Sequence, residues 1–419
     1  MLFRTVSASA LLCAAFLFNG LVACSDSAVT SDQEPEPDPG AEPEFLGFAI
    51  CVDVPSPLGS TGFIFAVDEL SGQALSLSEG VETGSGGSTC TTGLGYAFLG
   101  SAESPIIQRF ELDDEGRLVP GQRVSFGNIL SSIFAGRGRA LQFISEERAL
   151  YIDRTSGIVV AWNPTEMTVI ESIQLEGYEV DGGQASIVPV LVGEQREDIL
   201  MFVRYLDTGT GGVGTQLKRA ALISLDPETL EYTVSMDERC GGFFNDVETS
   251  DGTIYMASSP FVVAQELLDL DPFEPCMLRV LPGATEFDPD FYVEMRDLTG
   301  GLAAGGILRG PGDGAITLAY DGNPDLLPPN PNQVTSLPTW RALLIEDLNT
   351  LETAVEVPGF PLLSGFVNEF LEAGGRLYTL ETDPIEANSA LLDVTDPFDV
   401  RNALNVSGGF FIGGGELVR

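Results

Sequence analysis

A short strand, an acidic or proline-containing turn and a second short strand recur seven times along this chain, and that recurrence limits what it can fold into. The first four units are residues 63–67 before Asp68-Glu69-Leu70-Ser71-Gly72, 110–112 before Asp113-Asp114-Glu115-Gly116, 159–162 before Asn163-Pro164-Thr165-Glu166, and 222–225 before Asp226-Pro227-Glu228-Thr229. Three more follow: 277–281 before Pro282-Gly283-Ala284-Thr285, 343–345 before Glu346-Asp347-Leu348-Asn349-Thr350, and 391–394 before Thr395-Asp396-Pro397. Pro fixes φ and Asx side chains bond to the backbone two residues on, so each unit is a credible hairpin. Helical periodicity is scarce between the units, which predicts an all-β domain.

Divided among residues 45–419, seven units average about 53 residues each, the size of a four-stranded propeller blade with extended loops. The prediction is a β-propeller of seven four-stranded blades; the longer units at 163–226 and 282–347 leave room for an eighth. If each hairpin is the outer pair of a blade, the tight turns share one face. The loops between second and third strands then share the other, and these include the long insertions 207–216, 259–275 and 321–338. Long loops on one rigid face are where binding usually resides. Residues 410–412 are placed to add a strand to the first blade and close the ring.

The N-terminus predicts export. Arg4 precedes a short, mostly apolar run, and Leu21-Val22-Ala23-Cys24 fits a lipobox. A positive charge before a short apolar core is the layout of a signal peptide, too short to cross a bilayer comfortably. Residues 1–23 are therefore read as the signal and Cys24 as the lipidated residue, with Ser25 directing the protein to the outer membrane. Residues 24–45 carry seven acids and several prolines with few large apolar groups, which predicts a disordered tether before a propeller at 46–419.

Formal net charge is −42, which argues against nucleic acid and anionic lipid as main partners. Membrane contact is expected through the lipid alone. An even set of cysteines, Cys51, Cys90, Cys240 and Cys276, predicts disulfides in an exported chain. Four cysteines allow three pairings; proximity favours Cys51–Cys90 and Cys240–Cys276. The close Cys pairs of a zinc site are absent. The chain has no histidine, which removes Ser-His-Asp and Cys-His catalysis and His-ligated metals. No cofactor or metal is expected.

Gly209-Thr210-Gly211-Gly212-Val213-Gly214 matches a dinucleotide fingerprint but lacks the following helix, so it reads as a loop. Asp269, Asp271 and Glu274 lack the spacing of an EF-hand calcium loop and read as turn acids. The scarce basic residues say more. Arg137, Arg139, Arg154, Arg204, Lys218, Arg219, Arg239 and Arg341 are expected on or near the long-loop face, with Tyr205, Phe261, Phe273 and Trp340 among them. Such a collar would suit a planar anionic aromatic ligand; the alternative is that each arginine pairs with a local carboxylate.

Three stretches resemble propeller lipoproteins associated with siderophore uptake, the myxochelin-cluster lipoprotein and a related Bacteroidetes family. They are Ala161-Trp162-Asn163-Pro164-Thr165-Glu166-Met167, Cys240-Gly241-Gly242 with Thr249-Ser250-Asp251-Gly252-Thr253-Ile254-Tyr255, and Cys276-Met277-Leu278-Arg279-Val280-Leu281-Pro282-Gly283 with Leu298-Thr299-Gly300-Gly301. The resemblance covers roughly residues 135–320. It implies capture of a ferric siderophore for iron uptake and handover to an outer-membrane receptor, and supplies no ligand residue by position. Two readings of other classes stand beside this non-enzymatic one: a protein-contact propeller of the cell envelope, and a propeller lactonase or lyase.

Overall fold

The computed structural model describes residues 45–56, 59–85, 87–101, 103–133, 139–189, 196–207, 214–270, 272–365, 370–383 and 388–418. The expected signal, the lipidated Cys24 and nearly all of the tether lie outside the described residues. So do Arg137, Asp271 and residues 209–213 of the glycine-rich loop.

Seven separate antiparallel sheets make a seven-bladed β-propeller. Blade 2 shows the plan: Gly87–Gly93, Tyr96–Ser101, Ser104–Leu112 and Leu118–Ser125 pair in that order from the inside outward. Six of the seven predicted hairpins are the outer pairs of blades, as in blade 3, where Ile158–Asn163 pairs with Thr168–Gln174; in blade 1 the strand after the Asp68–Gly72 turn leaves the blade, and Val81–Ser85 pairs with Gly59–Val67 in its place. The middle strands are buried on both faces because neighbouring blades pack against them. Their apolar runs are accordingly continuous, whereas Thr168–Gln174 at the rim is exposed nearly throughout. One core cluster joins blades 3 and 4 through Leu150, Val159, Met201 and Ile223, and another joins blades 4 and 5 through Leu200, Phe202, Phe243 and Met256.

The turn acids act through their side chains. Asp226 Oδ1 accepts from the N–H of Glu228 at 2.8 Å and of Thr229 at 2.9 Å, and Asn163 does the same for Thr165 and Glu166. These bonds hold the Asp226 carboxyl below its ordinary range. The fifth residue of three such turns, Met167, Leu230 and Leu351, is left-handed without being glycine, so the side-chain bonds hold a conformation that the residue itself disfavours.

Closure uses both ends. Phe410–Val418 forms the innermost strand of blade 1, pairing with Phe45–Ser56, as the residues at 410–412 led us to expect. Blade 1 also lends Gln73–Leu75, which pairs in parallel with Arg401–Ser407 at the rim of blade 7. Cys51–Cys90 links blade 1 to the inner strand of blade 2, and Cys240–Cys276 ties the connection between blades 4 and 5 to blade 5. Both pairings are the ones favoured by proximity.

The Cys240-Gly241-Gly242 turn has a steric reason. A Cβ on Gly241 would lie 2.4 Å from the Leu217 carbonyl oxygen. Gly242 has φ +68°, and a Cβ there would meet Val262 at 2.4 Å. Only glycine lets this connection lie against the third strand of blade 4.

Candidate functional site: a recess around Arg204

The described parts of the three long insertions share a face, and residues 259–275 and 321–338 contain the helices Pro260–Leu267 and Pro331–Ser336. Where they meet blades 4 and 5 the surface sinks into a cavity of about 260 Å³. Blade 4 supplies Arg204 and Leu206 from Ile199–Asp207, and Gly214 and Gln216 from the insertion end and the next strand. Blade 5 supplies Phe244 from its inner strand, with Ser259 and Phe261 at the start of the first helix. Asn332 and Thr335 of the second helix and Gly365 complete the lining. A Cβ on Gly365 would lie 2.8 Å from Pro260 and 2.9 Å from Thr335, so glycine here lets the wall close.

Register irregularities aim the key side chains. In blade 4 the pairing slips between Arg204, opposite Ala220, and Leu206, opposite Gln216. In blade 5 it slips between Phe243, opposite Ser258, and Asp246, opposite Met256, and Phe244 lies in that interval. Bulges of this kind commonly re-aim side chains beside binding sites.

Arg204 is electrostatically unusual. Its guanidinium carbon lies 4.5 Å over the Phe244 ring, and Arg154 lies 5.7 Å over the same ring. Its Nε is buried and has no hydrogen-bond partner among the described residues. Burial first, and the like charge of Arg154 second, pull its pKa down to about 9, so it is cationic at neutral pH. A desolvated charge without a counter-ion costs several kcal/mol. Two more polar groups in the lining lack partners: the Ser259 hydroxyl and Gln216 Oε1, on residues 4% and 2% exposed. The Gln216 backbone is fixed on both sides by Gln265, which accepts from its N–H at 2.7 Å and donates to its carbonyl at 3.2 Å.

The structure disperses the rest of the expected collar. Arg139 pairs with the buried Asp246, whose carboxyl burial pushes up despite that partner. Arg219 pairs with Glu238 at 2.6 Å, and Arg341 with Asp321 at 2.5 Å and Glu356 at 3.3 Å. Arg239 holds Asp237 at 2.7 Å and donates to the carbonyls of Asp288, Pro289 and Phe291. Tyr205 points into the core between blades 3 and 4, where its hydroxyl donates to the Tyr178 carbonyl at 2.5 Å. Trp340 is buried, donating to the Val334 carbonyl, and Lys218 is exposed. Glu274, one of the turn acids, is held by Arg296 at 2.8 Å. Of the expected aromatic groups, Phe261 reaches the recess. Phe244, Gln216, Ser259 and Gly365 carried no motif; the Ser-Pro step at 259–260, a common helix start, was the one available signal.

No family model matches the chain, and no curated protein matches it. Among solved structures, a proposed 6-phosphogluconolactonase from Bacteroides fragilis superposes with a TM-score of 0.52 at 11% identity, over 91% of this chain and 99% of that one. The periplasmic gluconolactonase of Pseudomonas aeruginosa superposes with a TM-score of 0.49 at 11% identity, over 88% of this chain and 99% of that one. At such identity the likeness is one of fold alone.

Proposed function

We propose that this protein is an exported, lipid-anchored propeller of the outer membrane that binds a small anion in the recess around Arg204. The observation that carries the reading is the Arg204 guanidinium, desolvated and without a carboxylate partner among the described residues of a protein with net charge −42. An anion would offset that buried charge and occupy the free Nε. Export and anchoring at Cys24 rest on the signal and lipobox. The resemblance to siderophore-associated lipoproteins supports a ferric siderophore as ligand and an outer-membrane receptor as the next carrier.

The recess, at about 260 Å³, lies just below the usual range of small-molecule pockets. It would take one arm of such a complex, with the remainder lying over the long-loop face. A catalytic reading has less support, since none of the ten lining residues, among the described residues, is a carboxylate that could act as general base. Fluorescence quenching with a ferric catecholate tests the proposal. Saturable binding at physiological salt that Arg204→Met abolishes is expected, and no saturable binding would remove the uptake reading.

A further inference from the structure

We infer that the recess is built for a single aromatic ring carrying a carboxylate and a neighbouring hydroxyl, a hydroxybenzoate-type ligand; the inference rests on the anion-binding reading above. Charge, walls and polar groups each narrow the class. Arg204, lying over Phe244, has its buried Nε free for a carboxylate oxygen. A carboxylate suits a planar guanidinium geometrically.

Phe244, Phe261 and Leu206 line the same space, so the body of the ligand meets ring faces and an aliphatic chain. A flat apolar body gains there, whereas an extended polyol would lose water from hydroxyls without replacing every bond. The count of free polar groups makes the same point. Thr335 already donates to the Pro331 carbonyl at 2.7 Å, and Asn332 sits exposed at the rim. Ser259 and Gln216, both more than nine-tenths buried, have side-chain oxygens with no partner. Those two atoms match one carboxylate oxygen and one hydroxyl. Ser259 also precedes the helix Pro260–Leu267 and makes no side-chain cap, which leaves its hydroxyl free to donate at a helix end favourable to negative charge. Gln216 Oε1 is an acceptor and calls for a ligand hydroxyl. The volume, about 260 Å³, admits one substituted ring and little more.

Isothermal titration of the full mature chain with 2-hydroxybenzoate, benzoate, gluconate and inorganic phosphate tests this. The expected order is 2-hydroxybenzoate first, benzoate about tenfold weaker for its missing hydroxyl, and gluconate and phosphate weaker still. Gln216→Leu should cancel the advantage of 2-hydroxybenzoate over benzoate, and Arg204→Met should weaken both by roughly ten- to a hundredfold. Ser259→Ala, a smaller change, should weaken both several-fold and guards against a variant that fails to fold. Arg204-dependent binding of gluconate or phosphate in preference to the aromatic acids would overturn the inference while leaving the anion site standing. Absence of Arg204-dependent binding by any of the four would overturn both.

Discussion

Arg239 and Arg204 belong to the same blade and do opposite things. Arg239 follows the outer strand of blade 4 and directs its donors to Asp237 and to the carbonyls of Asp288, Pro289 and Phe291, clamping a loop of blade 5 onto blade 4. Arg204, on the second strand, makes no such bond among the described residues and lies against an aromatic ring at the edge of a cavity. In so acidic a protein an arginine is structural by default, because a carboxylate is nearly always within reach. Arg204 is the exception, and the proposed anion site rests on it.

Breaking the clamp region should have the largest effect. Its disulfide, Cys240–Cys276, closes a segment with a sequence separation of 36 and should contribute about 3–4 kcal/mol. The double change Cys240→Ser with Cys276→Ser should lower the urea midpoint accordingly; an unchanged midpoint would mean the connection is held by packing alone. Arg239→Ala, which strands the nearly buried Asp237, should cost about 2–3 kcal/mol in the same assay, reduced by partial exposure of the pair. Arg204→Met should raise stability, by about 1–2 kcal/mol once the lost ring contact is set against the relieved desolvation, since it removes an unpaired buried charge rather than a bond. A loss as large as that of Arg239→Ala would show that Arg204 has a structural partner after all.

Acid separates the two regions more finely. Burial raises the Asp288 carboxyl, but the Asp290 N–H, Arg279 and Arg239 together outweigh it and hold its pKa below the ordinary value. A carboxyl depressed in the fold contributes stability above its unfolded pKa, near 3.9, and that contribution is lost as pH falls through the lower folded value. Stability of the clamp should therefore fall in acid below about pH 4. Among the described residues the recess has no acidic lining, so affinity for a ligand that stays ionised should be flat between about pH 5 and 8. Titration at several pH values checks this, and a slope in that window would point to a carboxyl close to the ligand.

Most of the fold was legible because its signals are local. Asp226, Asn163 and Asp347 bond within their own turns, so six of the seven hairpins could be located without knowing their neighbours. The two-residue outer strands Val293–Glu294 and Val355–Glu356 are too short to show a period, and Gln73–Leu75 finds its partner at the far end of the chain. The arginine collar failed as a group because pairing is spatial. A simpler pattern runs among the arginines of the whole chain. Arg109, Arg196 and Arg239 each hold an acid two residues away: Glu111, on the same face of the same strand, and Asp198 and Asp237 at strand ends. Arg204 has Phe202 and Leu206 at those positions. Those neighbours alone do not mark it, since Arg139, Arg219 and Arg341 also lack an acid two residues away and still find one across the fold.

Titration of 2-hydroxybenzoate into the wild-type chain, Arg204→Met and Arg239→Ala at physiological salt tests the central claim most directly. Saturable binding by wild type and by folded Arg239→Ala, lost in Arg204→Met, is the predicted result. Equal binding by wild type and Arg204→Met would place the site elsewhere and contradict the account.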